Sequence, residues 1–101
     1  ETIPELSIED IRNFGELATI VAVPMYKTKE YDDSKVTKLT MLVEFPNGDM
    51  REYWMPRETD ITLSEEFGAQ IKPWVGKSIK FKVAVKEAFG SKYFSITARG
   101  A

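Results

Sequence analysis

From Lys77 to Glu87 the chain alternates without a break. Ile79, Phe81, Val83 and Val85 fall on one side of an extended segment, and Ser78, Lys80, Lys82, Ala84 and Lys86 fall on the other. A period of two specifies a strand with one buried face, because helix faces repeat only about every 3.6 residues. Ala88-Phe89-Gly90-Ser91 turns the chain. Lys92–Arg99 then returns with Phe94, Ile96 and Ala98 inward and Tyr93, Ser95 and Thr97 outward. The C-terminal third is therefore a hairpin with one apolar and one basic face.

The same period recurs upstream. Lys35–Phe45 places Leu39, Met41, Val43 and Phe45 on one side and Lys38, Thr40, Leu42 and Glu44 on the other. Pro46-Asn47-Gly48-Asp49 is the strongest turn signal in the chain, and Met50–Met55 is the returning strand. Before these, Glu16–Lys27 reads as a first strand, bent at Pro24, which lacks a donor for the ladder. Glu30-Tyr31-Asp32-Asp33-Ser34 reads as a polar turn.

Helical signals are short. Ser7-Ile8-Glu9-Asp10 fits a capping box, with Ile8, Ile11 and Phe14 on one face and Gly15 as the stop. Residues 1–5 read as a loose arm and 56–63 as irregular. Ser64–Ile71 reads as a second helix, capped by Ser64, with Glu65 and Glu66 in its first turn and Pro73 at its end.

The order is a helix followed by β-β-β-α-β-β. That predicts a mainly β chain, one domain over residues 1–101, folded as a five-stranded OB-like barrel with a short N-terminal helix. Closing the sheet removes its edges, and five alternating strands supply the apolar residues to fill it. The alternative is an open five-stranded sheet with helices on one face.

With that order, the chain resembles OB-fold single-strand-binding proteins. Trp74-Val75-Gly76-Lys77-Ser78-Ile79-Lys80-Phe81, followed by the Phe89-Gly90 hairpin, is similar to the end of small phage and archaeal domains near this group. The resemblance covers most of the chain in strand order but only this last part in motif. It implies a ligand across Lys35–Phe45 and Met50–Met55, clamped by the loops at Lys27–Ser34 and Ala88–Lys92. The chain departs from that pattern in its acids: Glu30, Asp32, Asp33, Glu44, Asp49 and Glu52 would repel phosphates there.

Charge bears on the same question. The 101 residues carry a net charge of −2, yet residues 71–101 hold seven bases against the single acid Glu87, and 1–70 hold seven bases against fifteen acids. Such asymmetry permits a basic face on an acidic protein. Lys80, Lys82 and Lys86 share one strand face, which suits phosphates; a solvated, aggregation-resistant surface is the plainer reading. Phe89 and Tyr93, beside Lys86 and Lys92, are candidate stacking platforms for bases. Tyr26, Lys27, Lys29 and Tyr31 form a second basic-aromatic cluster. Tyr53 and Trp54 are neighbours on one strand, so they face opposite sides, and Tyr53 joins the candidates.

Catalysis finds little support. There is no His and no Cys, hence no thiolate site, no disulfide and no imidazole base. Asp32-Asp33 reads as turn chemistry and Glu65-Glu66 as a helix start. No metal or cofactor is expected. The absence of a long apolar run predicts no membrane span. The absence of a basic-then-apolar leader predicts a cytoplasmic protein, and a first residue of Glu1 fits a trimmed segment. The expected function is a non-enzymatic module for single-stranded DNA or RNA. The alternative is a protein-interaction or homo-oligomerisation module whose acidic and basic surfaces complement one another.

Overall fold

The computed structural model describes residues 2–101, apart from the Tyr31 side chain. The first helix, α1, spans Ile8–Phe14, and its capping box is complete. Ser7 Oγ accepts from the Asp10 N–H at 3.3 Å, and Asp10 Oδ2 accepts from the Ser7 N–H at 2.9 Å. Gly15 ends the helix at φ 96°, a left-handed conformation open to glycine.

Six strands follow, one more than the sequence predicts: β1 Leu17–Ile20, β2 Met25–Tyr31, β3 Ser34–Glu44, β4 Met50–Trp54, β5 Ser78–Ala88 and β6 Ser91–Gly100. The extra one arises at Pro24, where the expected first strand breaks in two. β1 and β2 lie end to end along one edge of β3, and β4 takes the other edge. Thr40 is thus flanked by Met25 and Trp54, and Val43 by Ile20 and Arg51. β1 also pairs with β5, and β5 with β6, so one antiparallel sheet runs through the molecule.

That sheet does not close, which corrects the expected barrel. Its end strands β4 and β6 lie near one another, yet no backbone ladder joins them. The outer edge of β4 is engaged by the N-terminal arm. The arm residues Pro4 and Leu6 bracket Glu52 of β4, with Glu52 N–H donating to Pro4 O at 2.9 Å and Leu6 N–H donating to Glu52 O at 2.8 Å. The arm is therefore tied down at Pro4–Leu6.

The second helix, α2, spans Arg57–Phe67, earlier than expected, with Pro56 at its N-cap position and Ser64 inside it. Its buried stripe is Thr59, Leu63 and Phe67, spaced four apart, while Ile61 points to solvent. A threonine where an apolar residue was sought hid that stripe. α2 lies along β6, where a Cβ on Gly100 would run into the Glu66 carboxylate and come 3.1 Å from the Phe67 ring, so a larger residue there would have to displace the Glu66 side chain. A 3-10 turn at Lys72–Trp74 seats Trp74 in the core, its indole N–H donating to Gly68 O at 3.1 Å.

The core is the alternation read from the sequence: Leu39, Met41, Val43, Phe45, Ile79 and Phe81, joined by Ile20, Met55 and Leu63. Phe81 meets Tyr53 edge-to-face at 5.1 Å between ring centres and lies 6.0 Å from Phe45. Arg51 reaches Asp10 at 3.1 Å and holds α1 against β4.

Candidate nucleic-acid interface

The β5–β6 hairpin turns through Phe89 and Gly90, whose φ angles of 50° and 78° are both positive, as in a type I′ turn. Ala88 and Ser91 close it, and this fixes the register of every pair below. One face carries Lys80 beside Arg99, Lys82 beside Thr97, Ala84 beside Ser95, and Lys86 beside Tyr93. The other carries Ile79, Phe81, Val83, Val85 and Glu87 beside Gly100, Ala98, Ile96, Phe94 and Lys92.

The structure thus brings Lys80, Lys82, Lys86 and Tyr93 together on one face, as expected, and adds Arg99. Arg99 could have been found by counting back from the Phe89-Gly90 turn. Lys92 falls on the opposite face, across from Glu87. Lys86 is paired with Glu58 of α2. Lys80, Lys82 and Arg99 have no acid within ion-pair distance among the described residues. Tyr93 is 50% exposed, and Phe89 stands fully exposed at the tip.

The second cluster is divided. Tyr26, Lys27 and Lys29 lie on β2 rather than in a loop, so Tyr26 faces one side and the lysines the other. Tyr26 is exposed. Lys27 Nζ meets Glu52 at 2.5 Å; Lys29 pairs with Glu5 and sits 4.2 Å above the Trp54 ring. The hydrogen bond from Lys27 holds the Glu52 carboxyl below its ordinary 4.5, aided by the Trp54 indole N–H at 2.7 Å and opposed by burial. These two lysines are engaged in holding β2 and the arm to β4. The Tyr31 side chain lies outside the described residues.

Tyr53 faces the core at 2% exposure, which leaves no ring face for a base. Its hydroxyl donates to Ile96 O at 2.7 Å and lies 3.4 Å from Thr59 Oγ1. Burial pushes its pKa upward, which keeps that hydroxyl protonated and donating. Trp54, on the outer side, lines a cleft of about 390 Å³ between β4 and β6, with Ile8, Lys38, Pro56, Phe94 and Ile96. Sequence reasoning found the Tyr53/Trp54 alternation but not which residue faced out.

Among the described residues no three His, Cys, Asp or Glu side chains gather closely enough to hold a metal, and no helix is long and apolar enough to cross a membrane. Comparison with protein-family models, with curated proteins and with solved structures finds no match.

Proposed function

We propose that this chain is a non-enzymatic module for single-stranded nucleic acid, holding the strand on the outer face of the β5–β6 hairpin. The observation that carries this reading is the trio Lys80, Lys82 and Arg99, gathered on one face without acid partners among the described residues, with Tyr93 at the end of the same face. Cations left unpaired in the fold are free to displace counterions from phosphates. An exposed phenol ring beside them offers a base a stacking surface, worth about 1–3 kcal/mol. The strand order also supports an OB-like reading: a bent first segment shared between β3 and β5, a helix after β4, then a terminal hairpin.

Fluorescence anisotropy with labelled oligo-dT and oligo-U at two salt concentrations tests it. Lys82→Glu with Arg99→Glu should weaken binding and flatten the log–log salt dependence by about 0.7 for each phosphate that is no longer neutralised. Tyr93→Ala should weaken binding with the salt slope unchanged, since stacking releases no counterions. Wild-type protein that binds neither oligonucleotide at low salt would remove the reading and leave the basic face as a solvated surface.

A further inference from the structure

The outer edge of β6 changes character along its length. Its lower half is sealed by side chains: Ile96 O accepts from Tyr53, the Ala98 N–H donates to Thr59 Oγ1 at 3.2 Å, and the Gly100 N–H donates to Glu66 Oε2 at 2.6 Å. Alternate residues of a strand present their backbone groups to the same edge, so Lys92 and Phe94 also point theirs away from β5. Nothing among the described residues meets them. Apolar side chains gather at this open half. Val85 and Phe94 are 63% and 64% exposed on one face, Tyr93 is half exposed on the other, and Phe89 is bare at the tip.

A row of unpaired N–H and C=O groups is a template for another polypeptide strand. We infer that the strand which fills it belongs to a second copy of this chain, the two β6 edges pairing antiparallel about a two-fold axis with Tyr93 opposite Tyr93. Three features select this occupant. The open stretch, Ser91 to Ser95, is self-complementary in that register. Lys92 falls opposite Phe94, Ser91 opposite Ser95, and no like charges stand directly across from each other, an arrangement that would destabilise the pair. Next, the register lays Gly90–Tyr93 of each copy along Tyr93–Ile96 of the other, the stretch of β6 that lines the cleft between β4 and β6. That cleft, about 390 Å³, lies on the open edge itself and leaves space there for an incoming strand. Finally, the lysine rows stay apart. Lys82 and Lys86 lie on β5, so the two β5 strands stand three strand spacings, or about 14 Å, from each other. That exceeds the Debye length of about 8 Å at physiological salt. Nothing in this pairing depends on the Lys80–Arg99 face binding an anion.

Sedimentation equilibrium of the full chain, at physiological ionic strength and at about 0.01 M, where the Debye length is about 30 Å, reads it directly. The expected result is a monomer–dimer equilibrium, weaker at low salt. Phe94→Lys, which sets a lysine directly opposite Lys92 of the second copy, should raise the dimer dissociation constant more than tenfold. The Phe94 side chain is exposed, so circular dichroism should show the fold unchanged. The chain has no Cys, which makes cross-linking clean. Tyr93→Cys should form a disulfide dimer under mild oxidation, because opposed side chains at the two-fold axis lie within about 5 Å, whereas Lys82→Cys should not. A monomer at every concentration and salt overturns the inference. So does a dimer indifferent to Phe94→Lys, or equal cross-linking at the two cysteines.

Discussion

The Tyr53 hydroxyl donates to the Ile96 carbonyl at 2.7 Å, and through it β4 is fastened to β6 where no backbone ladder joins them. A side chain does at this seam what main chain does elsewhere in the sheet. The same hydroxyl lies beside Thr59, whose oxygen accepts from the Ala98 N–H, so one buried cluster ties β4, α2 and β6.

Tyr53→Phe keeps the ring against Phe81 but removes that donor. The partly buried Ile96 carbonyl is then left without its partner, a loss of about 1 kcal/mol. Urea unfolding should show it as a lower midpoint with an unchanged slope. An unchanged midpoint would mean that water replaces the hydroxyl at the seam.

Phe81→Ala should cost about 3–5 kcal/mol, because the ring is fully buried between Tyr53 and Phe45 and its removal opens a cavity. A thermal or urea series resolves this easily. A cost under about 1 kcal/mol, the size of a minor surface effect, would contradict the assigned inner face of β5.

Phe89 holds a left-handed backbone at φ 50°, which favours glycine and asparagine over an aromatic residue. Phe89→Asn should therefore stabilise the isolated chain by about 1 kcal/mol, measured by urea unfolding at high dilution. Destabilisation under those conditions would show that the ring packs within its own chain.

Glu52 predicts an acid-side signature. Its folded pKa lies below the ordinary 4.5, so its ionised form stabilises the fold above that pH, and the contribution is lost as pH falls through the folded value. Unfolding free energy should thus decline below pH 4.5 in the wild type and more gently in Glu52→Gln. Identical acid slopes would assign the loss to other carboxylates.

What the sequence disclosed follows from where local chemistry decided the outcome. Ser7 and Asp10 cap each other within four residues, and the Lys77–Glu87 alternation holds at Ile79 and Phe81, where one face meets the core, but not at Val85, which is exposed. Asn47-Gly48 marked a hairpin correctly. Gly48 alone takes a positive φ there, after a turn in which its N–H donates to Phe45 O at 2.9 Å. Readings failed where distant partners decided. Thr59 is buried because Ala98 and Tyr53 need its hydroxyl, which no helix-periodicity argument sees. Lys27 and Lys29 resembled a ligand clamp until Glu52 and Glu5, remote in sequence, were brought beside them. Val85 and Phe94 continue the apolar alternation beyond the end of the core, and the pattern alone cannot say where the core stops.

The half-sealed edge of β6 divides one strand into two regimes of amide exchange. The Ala98 and Gly100 protons are held by Thr59 and Glu66 of α2, whereas those of Lys92 and Phe94 have no acceptor among the described residues and should exchange faster. The strand is scaffold below Ile96 and a free arm above it. Its tip can bend toward whatever it meets while the Tyr53 seam stays shut, so engagement at the tip need not draw on the stability of the core.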